Sequence, residues 1–348
     1  MKALTFQGKE IIRYESIADP ELLHPTDAIV RVKACAICGS DLHVYHEREK
    51  GIDHGTAMGH EFTGEVVEIG KEVRQIKVGQ HVMSPFTTSC GHCFYCLLGL
   101  TCRCIHSQLF GWVEQGKGLH GGQAEYVRVP LADSTLVEIP EGITTEEALL
   151  LGDVLATGYF CAKQAEIRSG GAYAVIGCGP VGLMAVVGAR ELGGNTVFAI
   201  DTVPERLEKA REFGAIPINA ADANPRELIN DSTAGRGVDA SLEAVGSHSA
   251  VRLAFELVRP GGIVSSVGVC NDAHLAFSPV EAYNKNLTYR IGRCPARHLM
   301  TTLAPLVLAH RYNLASVFTH RMKLIDGPKG YAVFSGKSDH CLKVLLEP

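Results

Sequence analysis

The distribution of apolar and polar positions divides the chain in two. From Met1 to about Gly152 the apolar residues come as short alternating runs at 28–33, 64–69, 81–84 and 124–129, cut by Gly, Pro and Asp turns. Alternation with period two marks strands with one buried face, so this stretch predicts a β-rich, barrel-like domain. From about Val154 the pattern changes, and continuous apolar runs at 173–176, 196–200, 237–242 and 262–267 alternate with helix-forming stretches. Strands that are apolar on both faces and spaced by helices predict a doubly wound parallel sheet. After about Arg290 the pattern is mixed, with a helix near 299–310 and strands near 317–322 and 341–346 that could rejoin the first domain. The fold class expected is α/β, with domains at 1–153 plus 291–348 and at 154–290.

Length and charge narrow the function. A chain of 348 residues suits two domains, and clefts between domains are where small molecules commonly bind. A net charge of −5, with 33 basic against 38 acidic residues and no basic run, leaves no electrostatic footprint for nucleic acid. No apolar stretch approaches the roughly 18 residues of a membrane span, and no secretory signal opens the chain, so a soluble cytoplasmic protein is expected.

Cysteine spacing supplies the first chemistry. Cys90, Cys93, Cys96 and Cys104 fall in one short segment, close enough to close a thiolate tetrahedron around Zn²⁺. Two disulfides are the alternative, disfavoured in a reducing compartment, and Cys102 could replace Cys104 as the fourth ligand. The remaining cysteines sit mostly in apolar runs, Cys178 and Cys270 among them, and read as small core hydrophobes.

A second motif follows the strand at 172–176. Gly177-Cys-Gly179-Pro180-Val181-Gly182 leads directly into a helical segment, the context in which glycines let a backbone approach a pyrophosphate at a helix N-terminus. The next strand ends at Asp201, spaced to accept hydrogen bonds from ribose hydroxyls and to repel a 2′-phosphate, which favours NAD over NADP. The alternative for Asp201 is a helix cap before Pro204, and Arg206 could soften the preference.

Weaker alone are Cys38-Gly-Ser40-Asp41-Leu-His43, Gly59-His60-Glu61 and Asp153, since a lone buried Cys or His is more often core than ligand. Together with the four-cysteine loop, Gly121-Gly122 before Ala-Glu-Tyr126, Thr157-Gly158 and the nucleotide glycines, they resemble, in order and across the whole chain, the zinc-dependent medium-chain alcohol dehydrogenase family. The resemblance implies a GroES-like catalytic domain with an inserted Rossmann NAD-binding domain, and two zinc ions per chain. Cys38, His60 and Asp153 would hold a catalytic zinc; Cys90, Cys93, Cys96 and Cys104 would hold a structural one, which selects Cys104 over Cys102. Best-known animal and yeast members have cysteine as the third catalytic ligand and polyol dehydrogenases commonly glutamate. Asp153 is similar instead to bacterial secondary-alcohol and formaldehyde-type members, and an oxygen ligand leaves zinc the stronger Lewis acid.

The implied reaction is reversible oxidation of an alcohol to an aldehyde or ketone, with hydride transfer to NAD. Ser40 matches the residue that takes the alcohol proton and His43 the relay toward solvent, against local readings as a turn serine and a surface histidine. Glu61 matches an acidic residue that approaches the metal, or else forms a salt bridge behind the ligands, and Asp41 braces the site. Pro180, Val181, Val245 and Val267 join the glycines as cofactor contacts. Lys343 matches a basic position near the pyrophosphate, with a surface lysine as the alternative, and Trp112 matches a pocket aromatic or ordinary core. His46, His54 and His120 have no assigned task. The resemblance further implies a homodimer or homotetramer joined near the sheet edge at 264–269. Competing readings are an NAD-linked formaldehyde or polyol dehydrogenase and, from a different class, a non-catalytic NAD-binding protein of this fold.

Overall fold

The computed structural model describes residues 1–348, which form two compact units, 1–153 with 295–348 and 154–294. The second unit runs to 294 rather than the expected 290, and its last strand, Thr288–Ile291, pairs in parallel with Val258–Ser266 at the edge of its sheet.

In the first unit a seven-stranded sheet is organised around the long strand Ala28–Ile37. Glu61–Ile69 runs antiparallel along one side of it and continues to His81–Met83 and Val137–Glu138. The other side is shared: Tyr126–Val129 pairs with its first half and the terminal strand Val344–Glu347 with its last residues, Val344 opposite Ile37 and Leu346 opposite Cys35. The end of the chain thus returns to the sheet of the first unit. The strand expected near 317–322 begins only at His320, because Leu314–Val317 winds into a single 3₁₀ turn that turns Leu314 and Val317 inward.

Helix Thr145–Gly152 buries nearly its whole length, and its N-terminus is closed by a capping box. The hydroxyl of Thr144 accepts from the Glu147 amide at 3.3 Å, and the Glu147 carboxylate accepts from the Thr144 amide at 2.9 Å. The helix stops at Asp153, whose non-helical backbone separates it from the next helix, Val154–Gln164.

The second unit carries six parallel strands, here counted in chain order: Ala172–Ile176, Thr196–Asp201, Ile216–Asn219, Val238–Glu243, Val258–Ser266 and Thr288–Ile291. Their spatial order is 3-2-1-4-5-6, the Rossmann arrangement, in which the connection reverses direction between strands 1 and 4. Ligands in such sheets bind at the carboxyl ends beside that reversal.

Because the capping box fixes the start of the helix that delivers Asp153, Thr144→Ala is expected to cost about 1 kcal/mol. A urea titration should record a lower midpoint with an unchanged slope; an unchanged midpoint would show that packing alone sets the helix.

Candidate metal centres and cofactor site

Strand register builds the first site. Ala36 pairs with Glu61 and Ile37 with Val344, so Cys38, Glu61 and Lys343 emerge at the same end of three adjacent strands. Asp153 is brought there by the helix that ends on it. Ligand atoms of Cys38, His60, Glu61 and Asp153 all lie within 4.8 Å of one another. The Cys38 sulfur is 3.2 Å from Asp153 Oδ2, and His60 Nε2 is 3.3 Å from the same oxygen. Ser40 Oγ sits 3.2 Å from His60 Nε2, so its hydroxyl faces the cluster.

The site carries more acid than base. Asp41, Glu61 and Asp153 are buried beside the Cys38 thiol, and Lys343 is the one lysine buried with them. Its Nζ lies 2.9 and 2.7 Å from the two oxygens of Glu61. Burial pushes the Cys38 thiol up to about 11 and, against the pull of Lys343, the Glu61 carboxyl up to about 7. Burial also favours a neutral His60, but Asp41, Cys38 and Asp153 outweigh it and raise its pKa. Asp153 is pulled the other way: burial is overcome by His60, Glu61 and Lys343, and its carboxyl is held well below the ordinary range. Cys38, His60 and Glu61 are thus pushed toward their protonated forms around an ionised Asp153. A dication on soft and hard donors of this kind takes the place of those protons, so the residues fit zinc.

Lys343 departs from expectation. It is neither a surface lysine nor open to a phosphate: the side chain has no exposed surface and is committed to Glu61 and the Ile37 carbonyl. The salt bridge behind the ligands, weighed for Glu61, is what the structure contains. His43, on the short helix Asp41–Tyr45, is half-buried, and burial lowers its pKa. Trp112 opens a two-stranded hairpin and packs its ring against the core of the first unit, the indole N–H 3.4 Å from Glu114. His46 bridges Glu10 and Ser335, and His120 accepts from the Ala57 amide, so both are structural.

The cysteine loop forms a second cluster in the same unit, with the sulfurs of Cys90, Cys93, Cys96 and Cys104 within 4.8 Å of one another. Backbone amides already point at them: Cys90 N–H donates to Cys104 Sγ at 3.2 Å, Cys93 N–H to Cys90 Sγ at 3.4 Å and His106 N–H to Cys104 Sγ at 3.4 Å. Amides of Cys96 and Ile105 lower the Cys93 thiol to about 6, whereas burial raises Cys96 to about 12. Four sulfurs pre-aimed with N–H support are a fit for a closed zinc site. Cys102 lies outside the cluster, in the 3₁₀ turn Thr101–Arg103, and is buried like most of the other cysteines. Cys270 is the exception to the core reading, exposed in the loop after Val258–Ser266.

In the second unit, Gly179 caps helix Pro180–Glu191, with Pro180 in its first turn. A Cβ on Gly182 would come within 1.7 Å of the Gly177 carbonyl, so only glycine lets the helix start this close to the strand. Asp201 stands beside the loop: Oδ2 accepts from Cys178 N–H at 2.7 Å, and Oδ1 from the amides of Thr202 and Val203. It does not cap the following helix, Pro204–Glu212, whose cap position is Val203. Arg206 lies 3.8 Å from Asp201 Oδ2. Val245, packed over Gly177, and Val267 follow the ends of strands 4 and 5 at the reversal point.

Sequence reading missed Gln123 and Tyr331. Both are fully buried, and they are linked to Asp41 by hydrogen bonds. The glycines before Gln123 were the available signal.

Two family models match the chain, "Alcohol dehydrogenase GroES-like domain" over residues 24–141 and "Zinc-binding dehydrogenase" over 180–308. It is 40% identical over 347 residues to zinc-type alcohol dehydrogenase B of Aspergillus flavus, covering 96% of this chain and 79% of that one. It is 33% identical to the NADP-dependent isopropanol dehydrogenase of Thermoanaerobacter brockii, over 92% of this chain and 93% of the other. Among solved structures, alcohol dehydrogenase TADH from Thermus sp. ATN1 superposes with a TM-score of 0.93 at 40% identity, covering 100% and 99% of the two chains. The chain therefore belongs to the zinc-dependent medium-chain alcohol dehydrogenase family and is an oxidoreductase of the GroES-like plus Rossmann architecture.

Cys104→Ser is expected to lower zinc content by one ion per chain, and Cys102→Ser to leave it unchanged, as measured by elemental analysis of dialysed protein. Loss of zinc from the Cys102 variant alone would reassign the fourth ligand.

Proposed function

We propose that this chain catalyses the reversible oxidation of an alcohol, a secondary alcohol in particular, to its carbonyl compound, with NAD⁺ as hydride acceptor. The observation that carries the reading is the buried cluster of thiol, imidazole and carboxylates, which has no structural need for so many acids in one place. Cys38, His60 and Asp153 are the zinc ligands in this reading, and Glu61 is held in its ion pair with Lys343. Zinc supplies a Lewis acid that lowers the pKa of a hydroxyl brought to it, and NAD⁺ supplies the hydride acceptor.

The rest of the task falls to side chains. Ser40 Oγ, already in contact with the cluster, takes the proton of the substrate hydroxyl, and His43, three residues on, passes it outward. Burial lowers the pKa of the His43 imidazole, which favours its neutral, proton-accepting form. In the second unit, the amides at the start of Pro180–Glu191 take the pyrophosphate and Asp201 takes the adenosine ribose. The preference for a secondary alcohol rests on the aspartate at position 153 and on the likeness to an isopropanol dehydrogenase. Preference for NAD rests on Asp201, whose charge opposes a 2′-phosphate. Two copies or four of the chain are the expected assembly.

Zinc-replete protein should change NADH absorbance fastest in a panel of secondary, primary and polyhydric alcohols when given a secondary one. Failure with every alcohol and aldehyde would sink the reading, and a polyol or formaldehyde optimum would redirect it. Cys38→Ala should abolish turnover while leaving the circular dichroism spectrum intact. Asp201→Asn, which keeps an acceptor oxygen and removes the charge, is expected to lower the KM for NADP relative to that for NAD by about tenfold, the equivalent of roughly 1.4 kcal/mol. An unchanged ratio would relocate the determinant of cofactor choice.

A further inference from the structure

Behind the first site runs a chain of buried hydrogen bonds from His60 through Asp41 and Gln123 to Tyr331. Asp41 is its hub. One carboxylate oxygen, Oδ1, lies 3.2 Å from His60 Nδ1, and the other, Oδ2, accepts from the Cys38 amide at 2.9 Å and from Gln123 Nε2 at 3.2 Å. A carboxylate can only accept, so Nδ1 carries its proton and Nε2 is the nitrogen presented to the cluster. Asp41 therefore grips both a thiol-bearing loop and an imidazole that the preceding reading assigns to the metal.

Gln123 is held in turn. Its Nε2 also donates to the Ala36 carbonyl at 3.1 Å, and its Oε1 accepts from the Tyr331 hydroxyl at 2.8 Å. With two acceptors facing Nε2 and one donor facing Oε1, only an amide in this one orientation satisfies every partner. The backbone around it is stitched to the ligand loop, Gly122 N–H to Gly59 O and Gln123 N–H to Met58 O, each at 2.9 Å. Its side chain lies so near Gly59 that a Cβ there would stand 2.4 Å from Gln123 Cγ, and Gly59 adopts a φ of +91°. Gln123 thus fixes His60 from two directions, by packing on the preceding residue and by hydrogen bonding through Asp41. Tyr331, on helix Gly327–Gly336, anchors the far end, its ring 5.4 Å from that of Tyr45.

We propose that Gln123 and Tyr331 are positioning residues for the metal: through Asp41 they lock the ring of His60 and the loop of Cys38 in ligating geometry and so set how long zinc is retained. The inference rests on the assignment of Cys38 and His60 as ligands. Its logic is that of outer partners that orient metal ligands, whose loss typically costs 10–100-fold in affinity or activity. Here the chain is two residues longer and reaches a different helix.

The test follows zinc release from the two-zinc holoenzyme into excess dipicolinate, the phase belonging to the Cys38 site being identified by its absence in Cys38→Ala. Gln123→Met keeps the volume against Gly59 and removes every hydrogen bond; Tyr331→Phe keeps the ring and removes one. Release from the Cys38 site should accelerate by about tenfold or more in Gln123→Met and by a smaller factor in Tyr331→Phe. Release from the four-cysteine site and the Kd for NADH should stay at wild-type values in both, whereas general destabilisation would move all three. If Gln123→Met does not fold, Tyr331→Phe decides alone. Wild-type release from the Cys38 site in the folded variants, or equal acceleration at both zinc sites, overturns the proposal. A wild-type chain that holds one zinc overturns the ligand assignment first and this inference with it.

Discussion

Removing a carboxylate from water costs several kcal/mol unless charge or hydrogen bonds compensate, and the first unit buries three of them, Asp41, Glu61 and Asp153, around a thiol and a single lysine. Lys343 neutralises one, and backbone and side-chain donors satisfy Asp41. What remains is Cys38 with Asp153 against His60, a set that stays acidic unless protons or a cation join it. The arrangement of the surrounding strands follows from this requirement. The last strand has to return to Ala28–Ile37 in the register that delivers Lys343 beside Glu61; a one-residue slip would turn the lysine to the other face and leave the glutamate uncompensated.

The second unit meets the opposite problem, since its ligand is an anion that arrives from outside. Its answer is made almost wholly of backbone. Gly177 and Gly182 let the first strand and helix approach each other, the helix start offers N–H groups, and Asp201 holds the loop by accepting the Cys178 amide. Buried Glu243 does the same across the reversal point, accepting from Val245 and Gly246 and from the Ser266 hydroxyl. Each of these two carboxylates fixes a turn at the carboxyl end of its strand, Asp201 by taking the Cys178 N–H of the glycine loop itself.

How much of this was legible in the sequence depends on the distance over which each feature is encoded. Glycine spacing and period-two runs are local, and the fold class, a β-rich domain joined to a doubly wound parallel sheet, is legible in them, whereas the strand order is not. The cysteine loop is local too, so that Cys104 over Cys102 needed only the register of a known pattern. Lys343 reads in sequence as a pyrophosphate contact or a surface lysine, and only the pairing of Val344 with Ile37 brings out its burial beside Glu61. Tyr331 lay out of reach for the same reason, and Gln123 had only the two glycines before it as a signal. A glutamine after two glycines carries no chemistry of its own, and its partners are Asp41 and a tyrosine in the final helix. Cys270 departs from the core reading because the strand ends at Ser266, so the apolar Val267-Gly-Val269 before the cysteine already belongs to the loop.

The two metal sites divide along the same line. Cys90, Cys93, Cys96 and Cys104 occupy one loop whose amides already face the sulfurs, so metal and local backbone suffice to close it. Closed structural sites of this kind return binding energy as folding energy, roughly 10–16 kcal/mol in zinc-finger peptides. In the proposed reading Cys38, His60 and Asp153 come from three segments, and a zinc held by three protein ligands would draw them together less strongly than one held by four. Geometry there has to be supplied from behind, by Asp41 with its ties to Gln123 and Tyr331 and by the capped helix ending at Asp153. A zinc with an open position would be reactive for that reason, and on the proposed assignment the buried polar chain through Asp41 would let such a site keep its shape.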